Sequence, residues 1–232
     1  MMMSYLANTA HLQFFFLVGG FLAWILTTTT TGLNEWRLWY LNDTSIVTSG
    51  VAWVGIWRAC FYSHVLTGVE FCQYMDLTQD FVPVEVSAAQ VMMMMAVICG
   101  LAANVSGATA LRMAYFSVRG RSHLGQLFVL AGSLYICSAG LSLVPVVWNM
   151  KSVLGNSTIE FPPQFHLPAA PLRQQVGSAI GLGVVSSILM LFSGLVFLSY
   201  PYVQQTKVRG QSKGIDAVSR TVDEVRVGGA IS

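Results

Sequence analysis

The stretch "GVAWVGIWRACFYSHVLTGVEFCQ", residues 50–73, decides how this chain folds. It combines two tryptophans, Trp53 and Trp57, with two cysteines, Cys60 and Cys72, among aromatic and β-branched residues. The segment is too polar on both sides to be a membrane span, which requires about 20 predominantly apolar residues. It therefore predicts a compact aromatic unit that is not itself a span.

The chain around this stretch is strongly apolar. Of its 232 residues, 54% are hydrophobic and 9% are charged, whereas about a quarter of the residues of a soluble domain are charged. Runs long enough to cross a bilayer, without Asp, Glu, Lys or Arg, cover residues 12–31, 88–111, 124–148 and 177–200. We predict a left-handed, all-α bundle of four transmembrane helices. The first run is read as an uncleaved span because it lacks a basic n-region and an A-x-A cleavage site.

Basic residues are unevenly distributed between the two sides of the predicted membrane. They accumulate between the second and third spans and in the C-terminal tail, at Arg112, Arg119, Arg121, Lys207, Arg209, Lys213, Arg220 and Arg226. The side with the basic excess faces the cytoplasm, which places both termini inside and the loops 32–87 and 149–176 outside. Residues 1–202 then form the membrane domain, and the polar tail 203–232 is expected to be disordered.

Two N-glycosylation sequons agree with this topology. Asn42 begins "NDT" and Asn156 begins "NST", and both fall in the predicted outer loops. Both asparagines are therefore candidate glycosylation sites.

The first outer loop has the composition of β-structure. Its segments "EWRLWYL", "SIVTSGVAWVGIW" and "VEFCQYM" are rich in β-branched and aromatic residues, which predicts a small antiparallel sheet. Cys60 and Cys72 lie in this loop on the oxidising side, so we expect a disulfide between them; the alternative is two free thiols. The second loop contains "FPPQFHLPAAP", whose prolines favour a rigid extended or turn segment.

The sequence offers no set of residues for catalysis. Its four cysteines and four histidines have no metal-binding spacing, and the four runs lack the intramembrane charges that usually mark transport. A net charge of +2 gives no indication of a nucleic-acid partner. We expect a protein that is not an enzyme, that uses no metal or other cofactor, and whose function lies in its outer loops.

Small and polar residues within the runs indicate helix packing. Small residues recur at helical spacing, as Ala96 with Gly100, Ala103 with Gly107, and Gly177 with Gly181. Such pairs allow close approach of helix backbones in lipid. Packing within one bundle is the plain interpretation, and association between subunits is the alternative. We expect hydrogen bonds between helices at Gln90, Asn104 and Gln126.

The residues of the first loop resemble a known family. Four spans, a large first outer loop, an early tryptophan, "GIWRAC" and a later cysteine resemble the claudin family, whose pattern is W, then G-L-W-x-x-C, then C. On that resemblance the family motif is carried by Trp36, Gly55, Trp57, Cys60 and Cys72. It extends over about residues 11–200 and includes "FPPQF", where the family has an aromatic, proline-containing adhesive turn.

The chain also departs from the family pattern. Ile56 replaces the usual leucine, and Gln90 stands where an arginine is common. The chain ends "GGAIS", and Ser232 does not suit a PDZ pocket, which captures a hydrophobic C-terminal residue. Coupling to a PDZ scaffold is therefore not expected.

The resemblance implies a structural adhesion protein of tight junctions in the plasma membrane. It would polymerise in cis and pair in trans, with itself or with other claudins, to seal or gate the paracellular space. Phe161 and Phe165 would make the trans contact, and the acids Glu70 and Asp76 would line the gap. The alternative function is an auxiliary subunit of a channel or receptor, similar to the calcium-channel γ relatives, without strand formation.

Overall fold

The fold contains four long helices. The computed structural model describes residues 2–42, 46–64, 70–116, 121–168 and 170–200. The helices are α1 (Met2–Gly32), α2 (Val84–Phe116), α3 (Arg121–Leu154) and α4 (Ser178–Tyr200). Each contains a segment long and apolar enough to cross a membrane, which confirms the predicted four-span architecture. The predicted tail 203–232, including Ser232, lies outside the described residues.

Small residues bring the helices into close contact. Ala96, Gly100, Ala103 and Gly107 are all buried on α2, and a Cβ added at Gly100 would lie 2.8 Å from the Trp24 ring of α1. These pairs therefore pack within the bundle, as the plain interpretation of their spacing predicted.

Polar groups between the helices have partners within the bundle. Asn104 on α2 accepts a hydrogen bond of 2.8 Å from the Tyr135 hydroxyl of α3, which confirms the prediction for Asn104. The hydroxyls of Ser142 on α3 and Ser187 on α4 lie 2.7 Å apart. Since lipid offers no alternative partner, such bonds hold neighbouring helices in register.

The segment between α1 and α2 and the segment between α3 and α4 together form an antiparallel sheet of five strands. Its strands are β1 (Arg37–Tyr40), β2 (Val51–Val54), β3 (Arg58–Tyr62), β4 (Glu70–Tyr74) and β5 (Arg173–Val176), in the order β4-β3-β2-β1-β5. The first loop supplies β1 to β4; a sheet in this loop was predicted, and the predicted segments contain β1, β2 and β4 but not β3. The second loop adds β5, which the sequence did not indicate because "RQQV" has no apolar alternation.

One face of the sheet is buried against the mouth of the bundle. Trp39, Ala52 and Phe61 point inward from β1, β2 and β3, and each is at most 1% exposed. They share one core cluster with Met93 of α2 and Ile180 of α4. The sheet is thus fixed to the helices through a hydrophobic core, while its opposite face is left uncovered in the monomer.

Candidate functional site: the sheet and its anchors

The predicted disulfide joins the last two strands of the first loop, β3 and β4. Cys60 on β3 and Cys72 on β4 are directly opposite in the antiparallel register, and their sulfurs are bonded at 2.05 Å. Cross-strand neighbours on one face lie close enough for such a bond. The covalent link secures β4, which is an edge strand and has a single neighbouring strand in the sheet.

The remaining motif residues surround the point where the sheet meets α1. Trp36 is buried, and its indole N–H donates a 3.0 Å hydrogen bond to the Thr30 carbonyl at the end of α1. Gly55 lies against the backbone of Asn34, where an added Cβ would be 2.9 Å from Cα. Trp57 is partly buried against the same core. The motif residues therefore pack the sheet closely against the end of α1.

Gln90 anchors the sheet to α2 rather than joining two helices. Its Nε2 donates to the carbonyl oxygens of Ile56 at 2.6 Å and Met75 at 2.9 Å. The expectation of a helix–helix bond at Gln90 is therefore wrong, because the second turn of α2 meets the ends of strands here and not another helix. The neutral amide binds the backbone at the position where the family commonly has an arginine.

A buried polar cluster ties β1 to α2 and α3. The guanidinium of Arg37 is 1% exposed and donates to Glu85 Oε1 at 3.2 Å and to Asn149 Oδ1 at 2.9 Å. Ser152 donates to the same Glu85 oxygen at 2.6 Å. Burial lowers the pKa of Arg37, and the neighbouring Glu85 carboxylate opposes that shift. Because an arginine keeps its charge in proteins, this cluster holds a paired buried charge at the bundle mouth.

Sequence reasoning missed this cluster. Arg37 and Asn149 belong to no motif, and 112 positions separate them in the chain. One signal was available: Arg37 lies two residues before Trp39 in an otherwise apolar strand, so both side chains are expected on the same face. A charge in such a strand needs a buried partner.

The two phenylalanines predicted to make the trans contact are buried in the monomer. Phe161 is 8% exposed and Phe165 is 2% exposed. The Phe161 ring packs at 5.1 Å from Trp39, and the Phe165 ring at 5.2 Å from Phe81. Both rings of the second loop pack against residues of the first loop, and this contact removes their aromatic surface from water. A trans role of this turn stays a prediction, and its exposed residues are Pro163, Gln164 and His166.

The predicted gap-lining acids and glycosylation sites lie on the surface. Glu70 on β4 and Asp76 just after β4 are both exposed. Asn42 and Asn156 are exposed as well, and Asn156 adopts a left-handed backbone with φ of 54°, a conformation that asparagine tolerates better than most residues. Their assigned roles remain predictions.

One group of potential metal ligands occurs among the described residues. It consists of Cys60, Glu70 and Cys72, whose ligand atoms lie within 4.8 Å of one another. Both cysteines are consumed by the disulfide, and the thiolate is the metal-binding form of cysteine. The short distances within this group therefore reflect the disulfide cross-link.

The family assignment follows from comparison with known proteins. Residues 21–199 match the family described as PMP-22/EMP/MP20/Claudin tight junction. Claudin-2 of Canis lupus familiaris is 28% identical over 166 residues, which cover 71% of this chain and 67% of that protein. Claudin-3 of Rattus norvegicus is 25% identical over 178 residues, which cover 75% of this chain and 74% of that protein. With its four membrane helices, five-stranded sheet and Cys60–Cys72 disulfide, this chain belongs to the claudin family of tight-junction membrane proteins.

Proposed function

We propose that this chain assembles into paracellular strands, by association of copies in one membrane and pairing of sheets between opposing membranes. The membrane helices would hold it at the cell–cell junction with both termini in the cytoplasm. The extracellular sheet would form the wall that seals or gates the gap. Partners would be further copies of this chain or other claudins.

The observation that carries the proposal is the rigid anchoring of the sheet. The Gln90 amide and the Arg37 cluster tie the sheet to α2 and α3, and the disulfide cross-links β3 to β4 within the sheet. A paracellular wall must keep its shape while it is pulled from two membranes, so its extracellular part has to be fixed to its spans. Conformational freedom between sheet and bundle would add an entropic cost to every contact in a polymer.

The charge of the first loop supports a cation-attracting gap. The loop contains six acids and two bases, a net charge of −4. Arg37 is paired internally with Glu85, and because this pair is neutral the other charged residues of the loop keep the net charge of −4. Exposed Glu70 and Asp76 would raise the local cation concentration at low ionic strength.

Expression in junction-free fibroblasts tests the proposal. Freeze-fracture images should show strands at cell contacts, and monolayers of an epithelial line expressing the chain should change in transepithelial conductance. The double variant Glu70→Gln/Asp76→Gln should lower the ratio of sodium to chloride permeability, whereas the matched variant Glu160→Gln, at an exposed acid of the second loop, should leave it unchanged. Surface expression without strands and without a conductance change would refute strand formation.

A further inference from the structure

Two cysteines that take no part in the extracellular sheet lie side by side in the membrane part. Cys99 is on α2 and Cys137 is on α3, and both carry free thiols. Each lies within two residues of the centre of its span. Because α2 and α3 are consecutive spans that run in opposite directions, both thiols lie at the same depth, near the middle of the bilayer.

The two helices approach closely at these cysteines. The Ser138 hydroxyl of α3 donates a hydrogen bond of 2.7 Å to the Ala96 carbonyl of α2. A Cβ added at Gly100 would lie 3.2 Å from the same hydroxyl oxygen. Cys137 directly precedes Ser138. Cys99 directly precedes Gly100, and its thiol interacts with the thiol of Cys137. A disulfide needs Cα atoms within about 7 Å, and close approach of helix backbones at small residues provides the conditions for one.

The thiol pair can be reached from the lipid. Cys137 is exposed on the outside of the bundle, and Cys99 is half-buried beside it. Ser133 and Gly140 are exposed as well, and they share the face of Cys137, since residues three and four apart on a helix are neighbours. A Cβ added at Gly140 would meet no atom of the described residues within 4 Å. Lipid acyl chains can therefore reach the Cys137 sulfur over two small residues.

We propose that Cys99 and Cys137 form a modification site that reacts with lipid peroxyl radicals and closes to a disulfide between α2 and α3. The hydrocarbon core contains no water, and an ionised group there is costly, so both cysteines react as neutral thiols. A neutral thiol is a poor nucleophile, whereas transfer of a hydrogen atom to a radical creates no charge. The site goes beyond strand formation, because it requires no second copy of the chain.

The reaction balances with two peroxyl radicals for each pair of cysteines. Each thiol gives its hydrogen atom, one electron and one proton, to one radical, so that an O–H bond forms as the S–H bond breaks. The peroxyl radicals become lipid hydroperoxides, and the two sulfur radicals combine into one S–S bond. An isolated sulfur radical takes a hydrogen atom back from the lipid. A pair of adjacent thiols therefore ends radical chains that a single thiol would pass on.

The test uses the purified full chain in liposomes of polyunsaturated phosphatidylcholine, with a lipid-soluble azo initiator as the source of peroxyl radicals. Non-reducing mass spectrometry should find the peptides of Cys99 and Cys137 linked within one chain. The lag before conjugated dienes accumulate should be longer than in liposomes without protein. Hydrogen peroxide added to the water should produce no such link, because it acts on ionised thiols.

A relocated thiol separates the effect of pairing from the effect of thiol content. Cys137→Ala/Ser133→Cys moves the thiol by one helical turn along the same exposed face and keeps the number of cysteines. This relocated variant should form no link to Cys99, and its lag should shorten to that of Cys137→Ala. Ser133→Ala retains the pair and should match the wild type. An intact Cys60–Cys72 disulfide in every variant verifies that each chain is folded.

The outcomes distinguish this site from other oxidation chemistry. The proposal would be overturned by a wild type that forms no link, by an equal yield of link with hydrogen peroxide, or by links only between different chains. An unchanged lag in the relocated variant would overturn it as well, since pairing would then have no effect. Because the liposomes contain no cell contacts, each of these results leaves strand formation standing.

Discussion

The guanidinium of Arg37 and the carboxylate of Glu85 form an ion pair at 3.2 Å, although 48 positions separate them in the chain. Arg37 belongs to the sheet and Glu85 to the first turn of α2. The pair therefore determines how the extracellular part sits on the membrane part. The claudin motif of the first loop makes the sheet rigid, and this pair makes its orientation specific.

Removal of one partner of this pair should destabilise the protein strongly. Arg37→Leu leaves the partly buried Glu85 without its counter-charge, and the loss of one member of a buried pair typically costs about 3–5 kcal/mol. The double variant Arg37→Leu/Glu85→Leu should cost less than the sum of the single variants, because it leaves no charge unpaired. Thermal unfolding of the purified chain in lipid nanodiscs measures both effects. Arg173→Leu, at an exposed arginine, serves as the control, and an equal effect at this site would contradict the buried role of Arg37.

Loss of the disulfide should loosen the outer strands of the sheet. Cys60→Ser/Cys72→Ser opens a loop of 12 residues, and the chain-entropy model assigns about 3 kcal/mol to a loop of this size. Non-reducing mass spectrometry should find Cys60 and Cys72 linked in the wild type. Cys99→Ser changes a cysteine that is free and should leave the unfolding temperature nearly unaltered. Two free thiols at Cys60 and Cys72 would contradict the structure.

Gly177 should not tolerate even a methyl group. An added Cβ would overlap the Glu35 carbonyl, while the Gly177 amide donates to the Trp36 carbonyl at 3.1 Å. The chain between β5 and α4 cannot move away without breaking this bond, so Gly177→Ala should cost about 1–3 kcal/mol. Gly181, one helical turn later, has open space around its added Cβ. Gly181→Ala should be neutral or slightly stabilising, and a similar loss of stability in both variants would argue against this account.

Substitutions of the two buried phenylalanines in the second loop should lower the stability of the protein. Phe161→Ala and Phe165→Ala each remove a buried ring, which typically costs about 3–5 kcal/mol. Leu172→Ala removes a side chain that is 74% exposed and should cost less than about 0.5 kcal/mol. The unfolding temperature and the binding between opposing cells should be measured on the same variants. Loss of binding between cells at unchanged stability would show that these rings contact the opposing cell after all.

Several features of the fold followed from local signals in the sequence. The four spans were evident because each apolar run is long enough to cross a bilayer by itself. Cys60 and Cys72 were paired correctly because both lie in one loop on the oxidising side. Strands β1, β2 and β4 were visible in their aromatic and β-branched composition.

Other features depended on contacts between distant parts of the chain. Strand β5 has a polar sequence and became a strand because β1 offered it an edge. Gln90 resembled a polar link between helices, but its partners are the carbonyls of Ile56 and Met75. The burial of Phe161 and Phe165 in the core cluster also depends on contacts with distant residues, and their trans contact stays a prediction.

The sequence by itself determined that this protein has four spans and a cross-linked β-rich outer loop, since hydrophobicity and residue spacing act locally along the chain. Only the tertiary structure decided which side chains face inward and which stay exposed. The buried Arg37 cluster draws on one strand and two helices that are far apart in the sequence. Burial and strand register are properties of the assembled fold, because they depend on what the remaining elements leave uncovered.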